Sequence, residues 1–587
     1  MRYRSIAKWD KPEESENLLF FAQLLEELLF NFSLDTYKPS ALNSSLLCSE
    51  ALDVIEEIEN GNIKKPNLNH VLKELCESLR RDNVAKSLLT LELSQINSVL
   101  LEPSKSTLDK KVVVELIHRQ IHLNKYKKQN EELLTKVIIG EKNFSQIRSL
   151  TRNFATTLLN LGYGSNWLSK ITLDFFYYDK NRIADNSAIK DFLQLFDREP
   201  FEYMVIFKGC RLFEKISNSC ERFEVKILES LAEINVDTSA HDFSVGPHEL
   251  LIQVNKINAR DIHSAKAKAD SRLELINTLF SLFHHKKAPD FQHDCLVINV
   301  TNGEVNRSKK AINIMHKCVD LKPPAAARKM NLFISDFSLE KISFQKFTRS
   351  AELHSLALNS DSIENQMINL WIALESIIPK NKDDNLCTIE GIVENTLPFL
   401  NVTYYQRLIS RLAKDLINWK RNFFISLIKP IEADGITQKL IKLISLPEYE
   451  EQRNQLRAEF KDFHLISDRF EYFCSVFSSP KTLLEGLDNH SKRVEWQIRR
   501  IYRARNIIVH SGKTPSYTSI LVENIHDYLD VIIGTLIQLA TKPKRIISID
   551  QGFKYLSLTH ESYKRELGRK GSVFTSELID KFFSGKV

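Results

Sequence analysis

The chain has 587 residues, 43% hydrophobic and 27% charged, which suits a soluble globular protein too long for one core. With only 16 glycines and 16 prolines, a loop-rich all-β architecture is excluded, and the abundance of Leu, Ile, Lys, Glu and Asn favours a mainly α fold. A formal charge of +6 does not by itself imply a nucleic-acid role, so local clustering must carry any argument about a polyanionic partner.

MRYRSIAKWDKPEESENLLFF, at the start, has no hydrophobic signal core, and no run of about 18 apolar residues predicts a membrane span. From about 14 to 160 the spacing is helical, as in NLLFFAQLLEELLFNF and HVLKELCESLRRDNVAKSLLTLELSQI. From about 200, YMVIFKG, RFEVKIL, HELLIQVNKI and DCLVINV read as strands. A helix over 261–283, with Asp261 as its N-cap, separates the last two and suggests a small α/β or α+β layer. The adjacent prolines of LKPPAAARKM (321–330) predict a boundary. Beyond it, helices are expected at 346–359, 361–378, 388–399, 403–430, 435–444, 448–475, 481–509 and 517–541. The plan is a helical region (1–165), a mixed region that is the candidate sensor (166–330), a helical bundle (345–545) and a peripheral extension (546–587).

The eight cysteines are scattered, with no Cys-x-x-Cys pair, so reduced thiols and a cytoplasmic location are expected. HHKKAPDFQHDC offers His284, His285, Asp290, His293, Asp294 and Cys295, but the segment reads as a solvated loop rather than a metal site. His118 and His122 share one predicted helix face without a third ligand. Lys256, Asn258 and Arg260 precede a helix N-terminus that could hold an anion, although a plain turn is the better account. SGKT (511–514) lacks both the glycine and the preceding strand of a phosphate-binding loop. No metal and no cofactor is expected.

RRIYRARNIIVHSG (499–512) is the most informative stretch. At helical spacing Ile498, Ile501, Tyr502, Arg505, Ile508 and Val509 form one stripe, while Arg499, Arg503, Asn506 and His510 form a second. The first stripe must be buried, and a buried guanidinium is costly unless paired or facing a polar cleft or subunit interface. Gly512 is a natural helix stop, which leaves His510 at the mouth of a turn. An Arg followed five residues later by a His is weak evidence alone, since His occupies 16 of 587 positions and RSAELH (349–354) repeats the spacing.

Arg505, Asn506 and His510 resemble the Arg-Asn-x-x-x-His signature of the HEPN superfamily, helical bundles that include metal-independent ribonucleases of bacterial defence and toxin systems. Upstream, ENQMINLWIALESII (364–378) resembles the first core helix of the ApeA-like branch, with Trp371 and Glu375 in its Trp-x-x-x-Glu pattern. The resemblance covers about 345–541 and implies a C-terminal HEPN-like bundle that pairs with a second copy. It implies Arg505 and His510 as the catalytic pair, Asn506 as the polar residue beside the arginine, and Glu375 either as a contributor that orients Arg505 or shapes the cleft or as a member of a structural ion pair. RNA is the implied substrate, bound along its backbone by Arg493, Arg499, Arg500 and Arg503. A phage-derived or small-molecule trigger acting on the N-terminal half is the implied regulator. The alternative expectation is a non-catalytic HEPN-like module that holds RNA or a nucleotide, or only dimerises.

Overall fold

The leucine-rich periodicity of the first 160 residues becomes eight helices in the computed structural model, which describes residues 1–234, 241, 243–318, 320–379, 388–541 and 543–583. They are α1 (Glu16–Leu29), α2 (Ser44–Glu59), α3 (Pro66–Arg81), α4 (Asn83–Leu88), α5 (Leu93–Leu100), α6 (Thr107–Gln120), α7 (Leu123–Ile139) and α8 (Phe144–Asn160). α1 is buried on nearly every side because its apolar residues run all round the helix, and it packs on both α7 and a C-terminal helix.

The chain divides into two compact units. The smaller comprises residues Thr157–Ile312. It contains α9 (Ser165–Leu173), α10 (Ile189–Gln194), β1 (Phe201–Cys210), α11 (Ser217–Glu221), β2 (Val225–Leu228), β3 (Glu249–Ala259), α12 (Ile262–Ser281), β4 (Phe291–Asn299) and β5 (Val305–Ser308). All pairings are antiparallel, in the order β2-β3-β1-β4-β5, so the layer is α+β. Alternation along β1 and β3 sends Tyr203, Val205, Phe207, Leu250, Ile252 and Val254 into a core with Ala265, Ala269 and Leu273 of α12. Asp261 caps α12 as expected, accepting from the amides of His263 and Ser264 at 2.8 and 3.0 Å.

The larger unit joins Met1–Thr156 to Asn313–Val587. Its second part contains α13 (Pro323–Asp336), α14 (Lys341–Leu358), α15 (Ile363–Ile377), α16 (Thr388–Ile428), α17 (Ile436–Ser445), α18 (Glu450–Glu459), α19 (His464–Val476), α20 (Pro480–Ser511), α21 (Thr518–Ala540), α22 (Ile549–Leu567) and α23 (Ser576–Phe583). The division falls between Ile312 and Asn313, shortly before the paired prolines, which occupy the first turn of α13, where no N–H partner is needed. The span read as one helix over 448–475 breaks at Lys461, whose φ is +42°. The last 40 residues are not peripheral. Phe553, Leu556, Tyr563, Leu567, Ile579 and Phe583 are buried, and α22 and α23 pack on α16 and α17. Among the described residues no helix is long and apolar enough to cross a membrane.

α16 also fixes the position of α20. A Cβ built on Gly486 of α20 would lie 2.0 Å from the hydroxyl of Tyr405 of α16, a buried side chain. Helix propensity favours Ala over Gly by about 1 kcal/mol, whereas overpacking costs about 1–3 kcal/mol. Gly486→Ala is therefore expected to destabilise the protein in denaturant unfolding, and adding Tyr405→Phe should restore most of the loss. A Gly486→Ala variant more stable than wild type would show that the contact yields freely.

Candidate functional site

The candidate site lies near the end of α20, a 32-residue helix. Ser479 caps its start through a reciprocal capping box with Thr482, and Pro480 occupies the first turn. Gly512 ends it at φ +67°, a left-handed conformation suited to glycine, donating its N–H to the Ile508 carbonyl at 3.2 Å.

Burial along this helix differs from the two-stripe expectation. Ile498, Ile501 and Ile508 are buried, Tyr502 and Arg505 half-buried, and Val509 is exposed. Arg499, Arg503 and Asn506 of the other stripe are also buried. The reason is that α20 is covered on several sides, by α15, α16, α21 and the N-terminal α3.

The arginines meet carboxylates there. Arg500 donates from Nε to Glu50 at 3.1 Å and from Nη2 to Glu74 at 2.6 Å, while Arg503 Nη2 reaches Glu50 at 2.7 Å. Arg499 pairs with Glu390 at 3.1 Å and with Glu495 at 3.0 Å. Burial alone would raise the Glu50 carboxyl, but Arg500 and Arg503 outweigh it and hold the group below its ordinary range. These contacts correct the expectation that Arg499, Arg500 and Arg503 hold an RNA backbone. Their charges are matched and withdrawn from solvent. Arg493 remains exposed and donates to the Tyr404 hydroxyl at 3.2 Å.

Arg505 is different. Its Nη1 donates to Asn506 Oδ1 at 3.0 Å, and its Nε is buried without a partner. Among the described residues it meets no carboxylate, unlike Arg499, Arg500 and Arg503. His510 is exposed in the last helical turn.

Trp371 is fully buried on α15, with its ring 5.6 Å from that of Tyr502. Seven residues before Trp371, Glu364 accepts from Thr514 at 2.8 Å, so α15 and α20 run antiparallel. Glu375 lies four residues beyond Trp371, and Arg505 three beyond Tyr502, in opposite directions. At 1.5 Å per residue they are about 10 Å apart along the axes. No ion pair joins them, which corrects the expectation that Glu375 orients Arg505 within one chain.

The other candidates are dispersed. Asp294 is held by Arg307, His293 lies 3.5 Å from Asp270, and Cys295 is buried in the sheet core. His118 and His122 do not share a helix, because α6 ends between them, although their rings meet edge-on at 5.6 Å. Lys256 is paired with Glu224 at 2.9 Å, and Arg260 donates to the carbonyls of Leu161 and Arg198. One group among the described residues can hold a metal: His354, His526 and Asp530.

Glu50 and Glu74 were not singled out from the sequence, although a signal existed. Glu50 falls three residues after Leu47 and four before Val54, on the apolar stripe of α2, just as charged residues interrupt the stripe of α20.

No family model, curated protein or solved structure matches this chain. The arrangement of its own residues therefore carries the functional reading.

Breaking a buried pair is expected to be severe, at about 3–5 kcal/mol. Glu50→Gln should lower unfolding stability by about 3 kcal/mol in denaturant titrations, since it leaves two buried guanidinium groups undercompensated. Because the folded Glu50 carboxyl is depressed, its contribution is complete above the unfolded value of about 4.3 and is lost as pH falls through the folded value. The gap between wild type and variant should thus close in acid below about pH 4. A loss under about 1 kcal/mol at neutral pH would place the pair among interactions that contribute little.

Proposed function

We propose that the chain is a metal-independent RNA endonuclease of the HEPN type, cytoplasmic and of a bacterial defence or toxin class, acting at a composite site between two copies. The observation that carries this reading is Arg505, left without a carboxylate beside three neutralised arginines, with His510 exposed five residues later. A helix that matches the other charges and leaves this one available suits a task outside the fold.

RNA supplies its own nucleophile, the 2′-hydroxyl. His510 removes that proton or protonates the departing 5′ oxygen, which an imidazole does well near neutral pH. Arg505 stabilises the charge gathering on the phosphorane-like transition state, with Asn506 fixing one of its nitrogens. The products are a 2′,3′-cyclic phosphate and a 5′-hydroxyl. Five helical residues turn through about 140° and rise about 7.5 Å, so one copy directs Arg505 and His510 to different sides. A second copy related by two-fold symmetry can supply the complement, and that is why the homodimer belongs to the proposal. Regulation through the N-terminal region is consistent with its contact on this helix, made by Glu50 and Glu74.

The separation of Glu375 from Arg505 and the pairing of the neighbouring arginines with carboxylates favour a second reading. In it the bundle is non-catalytic and serves dimerisation, or the holding of RNA or a nucleotide.

The test is to incubate wild type, His510→Ala and Arg505→Ala with total RNA in EDTA and to analyse fragment ends. Cleavage with cyclic-phosphate ends is expected, falling by about 10²–10⁴-fold in the His510 variant. Equal cleavage by wild type and His510→Ala would sink the assignment. RNA retention without cleavage by any of the three proteins would favour the second reading.

A further inference from the structure

His354 repeats the Arg-to-His spacing of the candidate site in RSAELH, and in the fold it meets residues 172 and 176 positions further along the chain. It sits on α14, while His526 and Asp530 occupy successive turns of one face of α21. The His354 Nε2 lies 3.3 Å from Asp530 Oδ1, and the His526 Nε2 lies 3.5 Å from Asp530 Oδ2. The two imidazole rings stack with centroids 5.0 Å apart and planes at 29°. All three groups present a ligand atom within 4.8 Å of the others.

Hydrogen bonding accounts poorly for this arrangement. His354 Nε2 is buried and makes no hydrogen bond, despite its closeness to the carboxylate. An unsatisfied buried polar group costs about 1–3 kcal/mol, and two stacked imidazoles cannot both be charged cheaply. Neutral imidazoles are the form in which histidine binds metals.

The spacing fits a metal shell. Zinc bonds of about 2.0–2.1 Å in tetrahedral geometry separate neighbouring ligand atoms by about 3.3–3.4 Å. Each imidazole Nε2 already lies within 0.2 Å of that value from one oxygen of the carboxylate, His354 from Oδ1 and His526 from Oδ2. Two imidazoles with one carboxylate favour zinc or another late first-row ion over magnesium or calcium, which prefer all-oxygen shells. The surroundings attract a cation. Asp527 and Glu523 have their own basic partners in Arg407 and in Lys38 and Lys317, while Asp320 accepts from the Cys318 thiol at 3.3 Å and meets no basic group among the described residues. Asp530 is exposed and opens onto a cavity of about 240 Å³ lined also by Cys318, His526 and Asp527.

We propose that His354, His526 and Asp530 form a zinc-class divalent metal site that fastens α14 to α21 and leaves a fourth position to solvent. The proposal is independent of the ribonuclease reading, which is tested in EDTA.

The experiment uses the full, tag-free chain after chelation and dialysis. Zinc is titrated calorimetrically, with magnesium as the comparison ion, and cobalt is followed by its visible spectrum. Wild type should bind one zinc per chain, give the intense visible bands of a low-coordinate cobalt site, and melt at a higher temperature with zinc. Asp530→Asn changes an exposed group without altering shape, so its fold is retained, and circular dichroism checks this. That variant and His354→Ala should each bind zinc at least about 100-fold more weakly, because ligand loss exceeds the effect of removing a supporting group. His284→Ala/His285→Ala, remote in sequence and exposed, should bind as wild type does. Zinc affinity unchanged in Asp530→Asn and His354→Ala, or lost in the His284/His285 variant, would overturn the site. So would a wild-type protein that binds magnesium as tightly as zinc.

Discussion

Glu50 lies between Arg500 and Arg503 with all three side chains almost wholly removed from water. Such an arrangement survives only if the charges balance and the hydrogen bonds are nearly all made. Adding Glu74 brings the set to two guanidinium groups and two carboxylates. The desolvation cost is several kcal/mol per ion, so the network contributes specificity more surely than net stability. What it specifies is which N-terminal helices cover α20 and in which register. An apolar face on α2 or α3 tolerates small sliding, whereas a two-pronged guanidinium contact does not.

That constraint decides which charges remain for any partner. A nucleic acid meeting this helix would not find the row of arginines that the sequence displays. It would find Arg493, exposed, Arg505, half-buried, and His510 at the exposed end. Each phosphate contact steepens the salt dependence of single-strand binding by about 0.7 in log–log slope. An RNA site with so few available arginines per copy would have a shallow salt dependence and would depend on geometry more than on electrostatic attraction. Under the proposed pairing of two copies, the charge would double and an imidazole of one copy would meet a guanidinium of the other.

Helical spacing was legible where burial is one-sided. Predicted helices over 361–378, 435–444, 481–509 and 517–541 match α15, α17, α20 and α21 within a few residues, and Asp261 caps α12 as read. Local rules failed where packing overrode them. The predicted interruption after 399 is absent, since α16 continues through Pro398 and loses helical angles only at Lys420. A proline removes one hydrogen bond, and a helix held by α17, α20, α21 and α22 absorbs that loss. Strand β5, of four residues, is too short to show alternation.

The candidate site was half legible for a related reason. Periodicity within one helix puts Arg505 and His510 on α20, with His510 in its last turn, but it says nothing about what covers the helix. Glu50 and Arg500 are 450 residues apart, and only the tertiary fold pairs them. The same limit hid the histidines. RSAELH gave one member of a cluster and the segment 526–530 gave two, His and Asp four apart on a helix face. Neither segment alone distinguishes a ligand from a surface residue. Charged or imidazole groups that interrupt an apolar stripe are the transferable signal, because each must find a counterpart on another interrupted stripe. In this chain Glu50 on α2 and Arg500 on α20 are such a pair.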